Sequence, residues 1–590
     1  MSSIRVSDED PSVPMKVGAR REGERCCPLP AAHAFWPASK VLCIGAGASG
    51  LVTAKFLKEA GHHAVIVDGG KEIGGTFENK RYEGARMVSS KYLTCFSDFR
   101  RPDSETHWLL SDYVKYLEDY ADHFKLRPLI RFETRVSQIH RPTVQGQRQS
   151  YIVDLACKQS DGTVQHTTES FDAVAVCSGL HNVPRLPTFK GQDQFKGDIL
   201  HSAHYKDPAI FKGKRVLVLG TGETGFDVAY AAATNGAETV HMGTRHGFVS
   251  VPSSFGEDFP PLDCLIINFG THAWESLWSR RVGFHWWISS KFIRTGLWML
   301  TGSTWGFNQW VGKRFNMTWD DGRKHIANKS VKAMPLLTRP VKRREANWRR
   351  GLFFGLPHYL LRKLLRWDVW DAAVDHIGTD ITLIEGSVNR IDAETVTFDK
   401  NSGGEARVEA DLIVLATGYR QRFPFLFPKQ SKEGQGAKGK MGAKEEKGEK
   451  EAQEAWGEGW EADDGTDDPL PSEHFIINPE DPRLAFIGFV RPNVGAIPPI
   501  SELQVMWWLE RLSATGLKGE KSDPVDPQYY KLKESRLCYG VDYGESFAAM
   551  FCDVQPRLTP FFSLVAAQAT TCSRWLERSG RFPRSSAGLC

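Results

Sequence analysis

Two places in the chain show the same order of apolar and polar positions. At the first, an apolar run at 41–44 ends in the turn 45–50, GAGASG, and residues 51–60 then carry apolar side chains at helical spacing. Gly61 comes next as a helix stop, and 64–67 is again apolar and rich in β-branched residues. A strand, a tight turn, a helix and a second strand within about thirty residues predict a βαβ unit.

The same order returns farther along the chain. Residues 215–219 form an apolar run, the turn 220–225 reads GTGETG, and 226–234 has helical spacing before the strand-like run 239–242. The sequence therefore contains two units of the kind that binds a dinucleotide at its glycine-rich turn.

Two further apolar runs, 171–179 and 411–418, end in glycine and come after alternating segments at 151–164 and 381–408 that predict antiparallel strands. The predicted fold class is α/β, with two Rossmann-like dinucleotide-binding domains, the second inserted in the first. The predicted division assigns 39–208, 376–428 and 469–550 to the first domain, 209–375 to the second with a Trp-rich insertion at 247–350, and 551–590 to a C-terminal segment.

Three segments fall outside these patterns. Residues 1–38 lack periodicity and are predicted to be a disordered tail, and 429–468, rich in Lys, Glu and Gly, is predicted to be a disordered surface insertion. Residues 274–348 contain nine of the eighteen tryptophans together with basic residues. Two interpretations stay open for them: a peripheral membrane contact through 274–312, or a subdomain that packs over an active site.

Composition narrows the class of protein. The 590 residues carry 75 Lys and Arg against 71 Asp and Glu, so no nucleic-acid partner is expected. The 11 cysteines form no regular framework, which favours a reducing compartment. With no apolar run long enough to span a bilayer and no apolar segment in 1–38, we expect a cytoplasmic protein, with a peripheral position on an intracellular membrane as the alternative. The oligomeric state is not predicted.

The first turn has the residue types that a pyrophosphate needs. Gly45 permits the tight turn, Gly47 lets the backbone approach the phosphates, and Gly50 allows the helix to pack closely on the strand. Asp68 ends the second strand, at the spacing where a carboxylate binds a ribose hydroxyl. The remaining candidate binding residues of this turn are Ala46, Ala48 and Ser49.

The second turn differs from the first in the residue at the end of its second strand. No acidic residue stands there, and Arg245 takes its place. An arginine fork can bind a 2′-phosphate that a carboxylate would repel, so NADP(H) is predicted rather than NAD(H), with an ordinary solvated arginine as the alternative. The other candidate binding residues at this turn are Gly220, Gly222, Thr224, Gly225 and Asp227.

Two nucleotide sites in one chain suggest electron transfer between a nicotinamide and a flavin. A disulfide reductase of this fold would need a redox-active cysteine pair, and the sequence contains neither C-x-x-C nor C-x-x-x-x-C. Oxygen is therefore the predicted electron acceptor.

Between the two units, 195–206 reads FKGDILHSAHYK, which resembles the F-x-G-x-x-x-H-x-x-x-[YF]-K fingerprint of flavin-containing monooxygenases. Other segments are similar to the family in the same order: GGTF at 74–77, SSK at 89–91, FSDF at 96–99, ATGY at 416–419, and 487–504. The resemblance extends from about residue 40 to 512 and adds these candidate site residues: Gly75, Thr76, Phe77, Gly179, Phe195, Gly197, His201, Tyr205, Lys206, Thr417 and Gly418.

The resemblance implies FAD and NADPH as cofactors, molecular oxygen as co-substrate, and N- or S-oxygenation of a small molecule through a flavin C4a-hydroperoxide. It implies no metal and no proton-transfer catalyst, and it suggests that His201 hydrogen-bonds across the domain junction, with a purely structural turn histidine as the alternative. Tyr205 stands where Baeyer–Villiger relatives carry Trp, which makes oxygenation of a ketone or aldehyde the second alternative.

One position departs from the family pattern. The family usually has Asn before S-S-K, where this chain has Val88, whose side chain forms no hydrogen bond. Ser89 or Ser90 is then a candidate to take that role near the flavin. The departure also keeps open a third alternative, an uncoupled NADPH oxidase or a non-catalytic nucleotide-binding scaffold.

Overall fold

The computed structural model describes residues 39–101, 105–140, 150–245, 248–250, 378–426, 470–471, 473–479, 481–489 and 496–514, together with 253, 261, 263, 326–328, 330, 332–333 and 467–468. The predicted tail at 1–38, almost all of the Trp-rich segment, most of the predicted insertion at 429–468 and the segment 551–590 lie outside the described residues.

The first unit is built on a six-stranded sheet. Its strands are β1 (Lys40–Ile44), β2 (His63–Val67), β3 (Ile130–Arg131), β7 (Ala173–Val176), β19 (Ile477–Asn478) and β20 (Asp481–Phe486), and their order in the sheet is β19-β20-β7-β1-β2-β3. The central strand β1 pairs in parallel with β2 on one side and with β7 on the other.

Helices cover one face of this sheet and a small antiparallel sheet covers the other. The helices are α1 (Ala48–Glu59), α2 (Thr76–Asn79), α3 (Lys91–Thr94), α4 (Leu110–His123) and α6 (Ile497–Ala514), and the small sheet is β4 (Thr134–His140), β5 (Tyr151–Lys158) and β6 (Val164–Phe171). Alternation along β5 places Tyr151, Val153 and Leu155 in the core beneath β1 and β7.

The second unit is built on a seven-stranded sheet. Its elements are β9 (Asp198–His201), β10 (Arg215–Leu219), α5 (Glu223–Thr234), β11 (Thr239–Thr244), β14 (Ile381–Ile391), β15 (Thr395–Lys400), β16 (Glu405–Glu409) and β17 (Leu412–Leu415). The strand order in this sheet is β16-β15-β14-β11-β10-β17-β9.

Two-stranded pairs complete the described strands: β8 (Val183–Pro184) with β18 (Tyr419–Arg420), and β12 (Phe248–Ser250) with β13 (Ile326–Asn328). Short 3₁₀ turns occupy Arg127–Leu129, Gln192–Gln194 and Pro208–Phe211.

The fold class, α/β with two dinucleotide-binding units, is confirmed, but the strand pairing differs from the predicted division. The prediction assigned 376–428 to the first domain, whereas β14, β15, β16 and β17 all belong to the second sheet, and so does β9. The reason is that β10 lies inside a parallel sheet and needs a partner on each side: β11 supplies one and β17, buried along its whole length, supplies the other.

The last two residues of the predicted disordered insertion are ordered in the structure. The prediction assigned Asp467 and Asp468 to the insertion 429–468, yet in the structure both form hydrogen bonds with the chain that follows β18. The backbone N–H groups of Gln421 and Phe423 donate to the carboxylates of Asp467 and Asp468, respectively, and the Gln421 amide donates to the Asp468 carbonyl at 3.0 Å. The contacts hold both sides of the insertion close together.

No helix in the part of the chain that the structure describes is long and apolar enough to cross a membrane.

Candidate functional site

The first glycine-rich turn joins β1 to α1. Gly45 has a φ of 114°, which favours glycine, and α1 begins directly after Gly47. A Cβ added to Gly50 would lie 1.8 Å from the Gly45 carbonyl oxygen, so the helix can approach the strand this closely only without a side chain. The first N–H groups of α1 therefore lie at the carboxyl end of β1, the position at which such folds bind phosphates.

Two glycines from separate segments, Gly47 and Gly75, face each other at this turn, and a third, Gly179, lies close to the residue after Gly75. A Cβ on Gly47 would lie 3.7 Å from the Gly75 Cα, and one on Gly75 would lie 3.2 Å from the Gly47 Cα. Gly179, which comes after β7, has only the Thr76 hydroxyl near its missing side chain, at 3.8 Å. Backbone atoms at Gly47, Gly75 and Gly179 thus line a recess, called the FAD recess below. It suits the pyrophosphate of FAD because side chains would fill the space.

Asp68 lies beside the recess at the end of β2. Its two carboxylate oxygens accept the backbone N–H groups of Ala46 and Gly70, each at 2.6 Å. The residue predicted to bind a ribose hydroxyl therefore also orders the turn itself. Phe77, another predicted binding residue, packs edge-on against Tyr113, with ring centroids 4.7 Å apart.

The start of α6, which belongs to the family-like segment 487–504, closes the same region through a contact that the sequence did not predict. The hydroxyls of Ser49 and Ser501 lie 2.9 Å apart, although the two residues are separated by 452 positions. The next residue, Glu502, is fully buried, and it accepts hydrogen bonds from the Ser97 hydroxyl at 2.8 Å and the Ser97 backbone N–H at 3.0 Å. The pKa of Glu502 is raised to about 8, mainly by burial and then by the charge of nearby Asp98, while the bonds from Ser97 oppose this shift.

The segment that departs from the family pattern leads into α3. Val88 is half-buried, whereas Ser89 and Ser90 are buried. The Ser90 backbone N–H donates to the carboxylate of Asp263 at 2.6 Å, and this acid is itself buried. No motif of the sequence indicated that Asp263 contacts this segment.

The second turn repeats the geometry of the first. Gly220 has a φ of 123°, and a Cβ on Gly225 would lie 2.3 Å from the Gly220 carbonyl oxygen. Gly222 precedes the first residue of α5, and no atom lies within 4 Å of the position of its missing Cβ. This turn therefore also leaves a backbone surface open for phosphates, with Thr224 in the first turn of α5.

Arg245 comes directly after β11 and its side chain is exposed, at the carboxyl end of the strand next to β10. Its carbonyl oxygen accepts the Asn401 side-chain amide at 2.9 Å, which fixes the backbone there. This is the edge at which the second strand of such a unit approaches an adenosine ribose.

Asp227 has a different environment from the one predicted. Although it was a candidate nucleotide-binding residue, its carboxylate is buried and accepts hydrogen bonds from the hydroxyls of Tyr82 at 2.8 Å and Ser330 at 2.6 Å. Both of its oxygens are thereby engaged with protein groups.

The fingerprint segment forms β9 and the turn after it. Gly197 lets this strand start against β17, since a Cβ there would lie 2.3 Å from the Asp411 carbonyl oxygen and 2.7 Å from the Phe195 ring. His201 is buried and accepts the Ala203 N–H at Nδ1, so its Nε2–H donates to the Gly418 carbonyl oxygen at 3.1 Å. Burial lowers the pKa of His201 to about 4, which keeps the ring neutral in this role.

The bond from His201 therefore joins two segments of the second sheet, because His201 ends β9 and Gly418 lies after β17. The Thr417 hydroxyl donates to the Arg185 carbonyl, and the Arg185 N–H donates to the Gly418 carbonyl at 2.9 Å. Together with the bond from His201, these bonds fix the chain after β17 at Thr417 and Gly418.

Tyr205 and Lys206, at the end of the fingerprint, contact the first unit. The buried Tyr205 ring lies 5.3 Å from the Tyr82 ring, and the Lys206 ammonium donates to the carbonyls of Asn79 and Arg81, both at 2.9 Å.

Two dinucleotide-type turns on two parallel sheets, joined by a fingerprint strand, define a protein that binds two nucleotides, one on each sheet. A flavin-binding monooxygenase-like family model matches residues 38–291. Monooxygenase PC-14 of Penicillium crustosum is 32% identical over 543 residues, covering 85% of this chain and 82% of that protein. Monooxygenase ptmN of Penicillium ochrochloron is 32% identical over 546 residues, covering 85% and 79%. Dimethylaniline monooxygenase [N-oxide-forming] 2 of Pan troglodytes is 29% identical over 402 residues, covering 66% and 63%.

The chain belongs to the flavin-binding monooxygenase-like family. It is a FAD-dependent NADPH monooxygenase, with FAD and NADP(H) as cofactors and molecular oxygen as co-substrate. The glycine-walled recess at the first turn and the open surface at Gly222 fit this pair of nucleotides.

Proposed function

We propose that this enzyme transfers one oxygen atom to the nitrogen or sulfur of a small nucleophilic substrate. The observation that carries the proposal is Tyr205, which fills the last aromatic position of the fingerprint, where Baeyer–Villiger relatives carry Trp. Its ring packs between Tyr82 and Phe211, with centroids 5.3 Å from each, so the fingerprint is accommodated here by a smaller ring.

The chain's own residues bind and position the cofactors. FAD, when bound, supplies electron transfer from NADPH and the activation of oxygen. Gly47, Gly75 and Thr76 would hold its pyrophosphate, and Gly222 and Arg245 would hold NADP(H). His201 keeps the end of β17 in place as a neutral ring, so no additional positive charge enters this region at neutral pH.

The residues predicted to lie near the flavin suit a substrate that attacks with a lone pair. Val88, Ser89 and Ser90 offer no titratable side chain, and a thioether or an amine bound as its free base needs none, since its lone pair is then available without proton abstraction. Val88 adds an apolar, half-buried surface that favours apolar substituents on the nucleophile. The relative that forms an N-oxide, at 29% identity, supports the same class of reaction.

The test is a competition among substrate classes. Purified, FAD-loaded enzyme is incubated with NADPH and equal concentrations of a tertiary amine, a thioether and a cyclic ketone, and the products are identified by mass spectrometry. We expect N-oxide or sulfoxide to dominate. A lactone as the main product would replace the proposal with Baeyer–Villiger oxygenation, and NADPH consumption that yields only hydrogen peroxide would replace it with an uncoupled oxidase.

A further inference from the structure

Residues 79–84 connect the two units through contacts that membership of the family does not explain. The segment starts at the last residue of α2, whose first residue, Thr76, lies at the predicted FAD recess. The Lys206 ammonium holds the carbonyls of Asn79 and Arg81, and the Glu83 N–H donates to the Lys206 carbonyl at 2.9 Å. The backbone of this segment is therefore fixed to the end of the fingerprint.

A side-chain bond at the middle of the segment reaches the helix that comes after the second nucleotide turn. The Tyr82 hydroxyl donates to Asp227 Oδ2 at 2.8 Å, and Asp227 lies five positions after Gly222, on the helix that this turn begins. The Ser330 hydroxyl donates to the other carboxylate oxygen at 2.6 Å, and the Lys332 ammonium lies 3.7 Å from Oδ2 while donating to the Gly84 carbonyl at 2.8 Å.

Burial makes this bond strong and directional. Asp227 is 6% exposed, so its charge depends on these donors rather than on water. The Tyr82 ring is oriented by its contact with Tyr205. The bond therefore joins the two predicted nucleotide sites along a short path: Thr76 is six positions before Tyr82 at one end, and Gly222 is five positions before Asp227 at the other.

The reduction of FAD by NADPH depends on the distance between these two sites. Hydride transfer moves two electrons and one hydrogen from nicotinamide C4 to flavin N5, so that NADPH is oxidised and FAD is reduced. Such reactions need the reacting atoms about 3–3.5 Å apart, and a misplacement of about 1 Å can cost about 100-fold in rate. Two units of one chain move relative to each other unless contacts between them prevent it.

We propose that Tyr82 and Asp227 are positioning residues, which hold the second nucleotide site at hydride-transfer distance from the first. Neither residue is required to touch a cofactor. The inference concerns flavin reduction, so it holds whichever substrate is oxygenated.

Tyr82→Phe removes the hydroxyl and keeps the ring. At saturating NADPH without oxygen, the variant should reduce its flavin about 5- to 100-fold more slowly than wild type. FAD content and the NADPH concentration at half-maximal rate should stay within about two-fold, because the nucleotide contacts are intact. The difference spectrum of the oxidised flavin on adding NADP⁺, which requires no turnover, should also change, because the nicotinamide is displaced.

Tyr120→Phe is the matched control. Tyr120 is a buried tyrosine of α4 in the first unit, and its hydroxyl has no hydrogen-bond partner among the described residues. The control should match wild type in rate and spectrum. A Tyr82→Phe enzyme that keeps full FAD and shows an unchanged rate and spectrum would overturn the proposal. A Tyr82→Phe enzyme that loses much more FAD, or has a much lower melting temperature, than the Tyr120→Phe control would also overturn it, because the hydroxyl would then be merely structural.

Asp227→Asn supplies an independent test of the pair, since it weakens the same bond from the other side. If the two residues act through this bond, the double variant should be little slower than the slower single variant. Rate losses that multiply in the double variant would show that the residues act separately and would contradict the proposal.

Discussion

The glycine at the start of each helix gives the sharpest prediction, because the two positions are geometrically matched. Gly47 has φ −81° and ψ −175°, and Gly222 has φ −71° and ψ 178°, so both backbones accept an alanine. In the protein alone, a Cβ on Gly47 would meet only the Gly75 Cα at 3.7 Å and the Gly74 carbonyl oxygen at 4.0 Å, which are ordinary contacts. Gly47→Ala should therefore cost the fold at most about 1 kcal/mol, the difference between glycine and alanine at a helix N-cap.

The cost to FAD binding should be much larger. The added methyl group occupies the space through which the backbone approaches the pyrophosphate. If two charge-assisted hydrogen bonds of about 1.5–3 kcal/mol each are lost, binding weakens by about 3–6 kcal/mol, or about 10²- to 10⁴-fold. Gly222→Ala should show the opposite pattern, with full FAD and weakened NADP⁺ binding.

Three quantities are measured: the FAD released per mole of purified protein, the affinity of the apoprotein for FAD by titration, and the melting temperature of the apoprotein. Gly47→Ala should lose its yellow colour while its apoprotein melts close to wild type. Wild-type FAD affinity in Gly47→Ala, or loss of FAD in Gly222→Ala, would refute the assignment of the two turns.

Four further predictions concern individual residues and one segment. Arg245→Ala should raise the KM for NADPH about ten-fold and leave that for NADH nearly unchanged, because it removes a charge-assisted bond to the 2′-phosphate; equal losses with both coenzymes would contradict this role. Val88→Asn should lower the hydrogen peroxide released per NADPH consumed in the presence of an oxygenated substrate, and a rise would show that another group already serves there. The pKa of Glu502 is about 8 in the fold against an ordinary 4.5, so the unfolded chain loses this proton first and the stability of the fold falls as pH rises between these values. Glu502→Gln should flatten the fall in Tm from pH 5 to pH 8. A variant whose Tm falls in parallel with that of the wild type would contradict the raised pKa. Deleting 430–465 should change FAD content and Tm little, because that composition buries little apolar surface, and a large loss of stability would show that the segment is ordered.

The local parts of the fold could be predicted because their causes lie within a few residues of one another. The turn at 45–50 requires glycine where the helix meets the strand, and the Gly50 approach to the Gly45 carbonyl is a direct consequence. The same holds for 220–225. Each βαβ unit could therefore be predicted from spacing and residue type alone.

Pairings between distant segments could not be predicted in this way. Periodicity identifies 412–415 as a buried strand but does not say which sheet it joins, and its register with β10 decides that. Asp227 was assigned to a nucleotide by its place in the motif, whereas its partner Tyr82 is 145 positions away, in a segment without a pattern of its own. The contact of Asp263 with Ser90 was not predicted at all, because a lone acid carries no local signal.

The proposed function is that this chain uses NADPH and oxygen to place one oxygen atom on a nitrogen or sulfur nucleophile. The most direct test is to supply ¹⁸O₂ to the FAD-loaded enzyme with NADPH and a tertiary amine or thioether, and to measure isotope incorporation against NADPH consumed. We predict an N-oxide or sulfoxide that carries one ¹⁸O atom, formed only when NADPH is present. Products without ¹⁸O, or NADPH consumption in which all the oxygen leaves as labelled hydrogen peroxide, would contradict the claim.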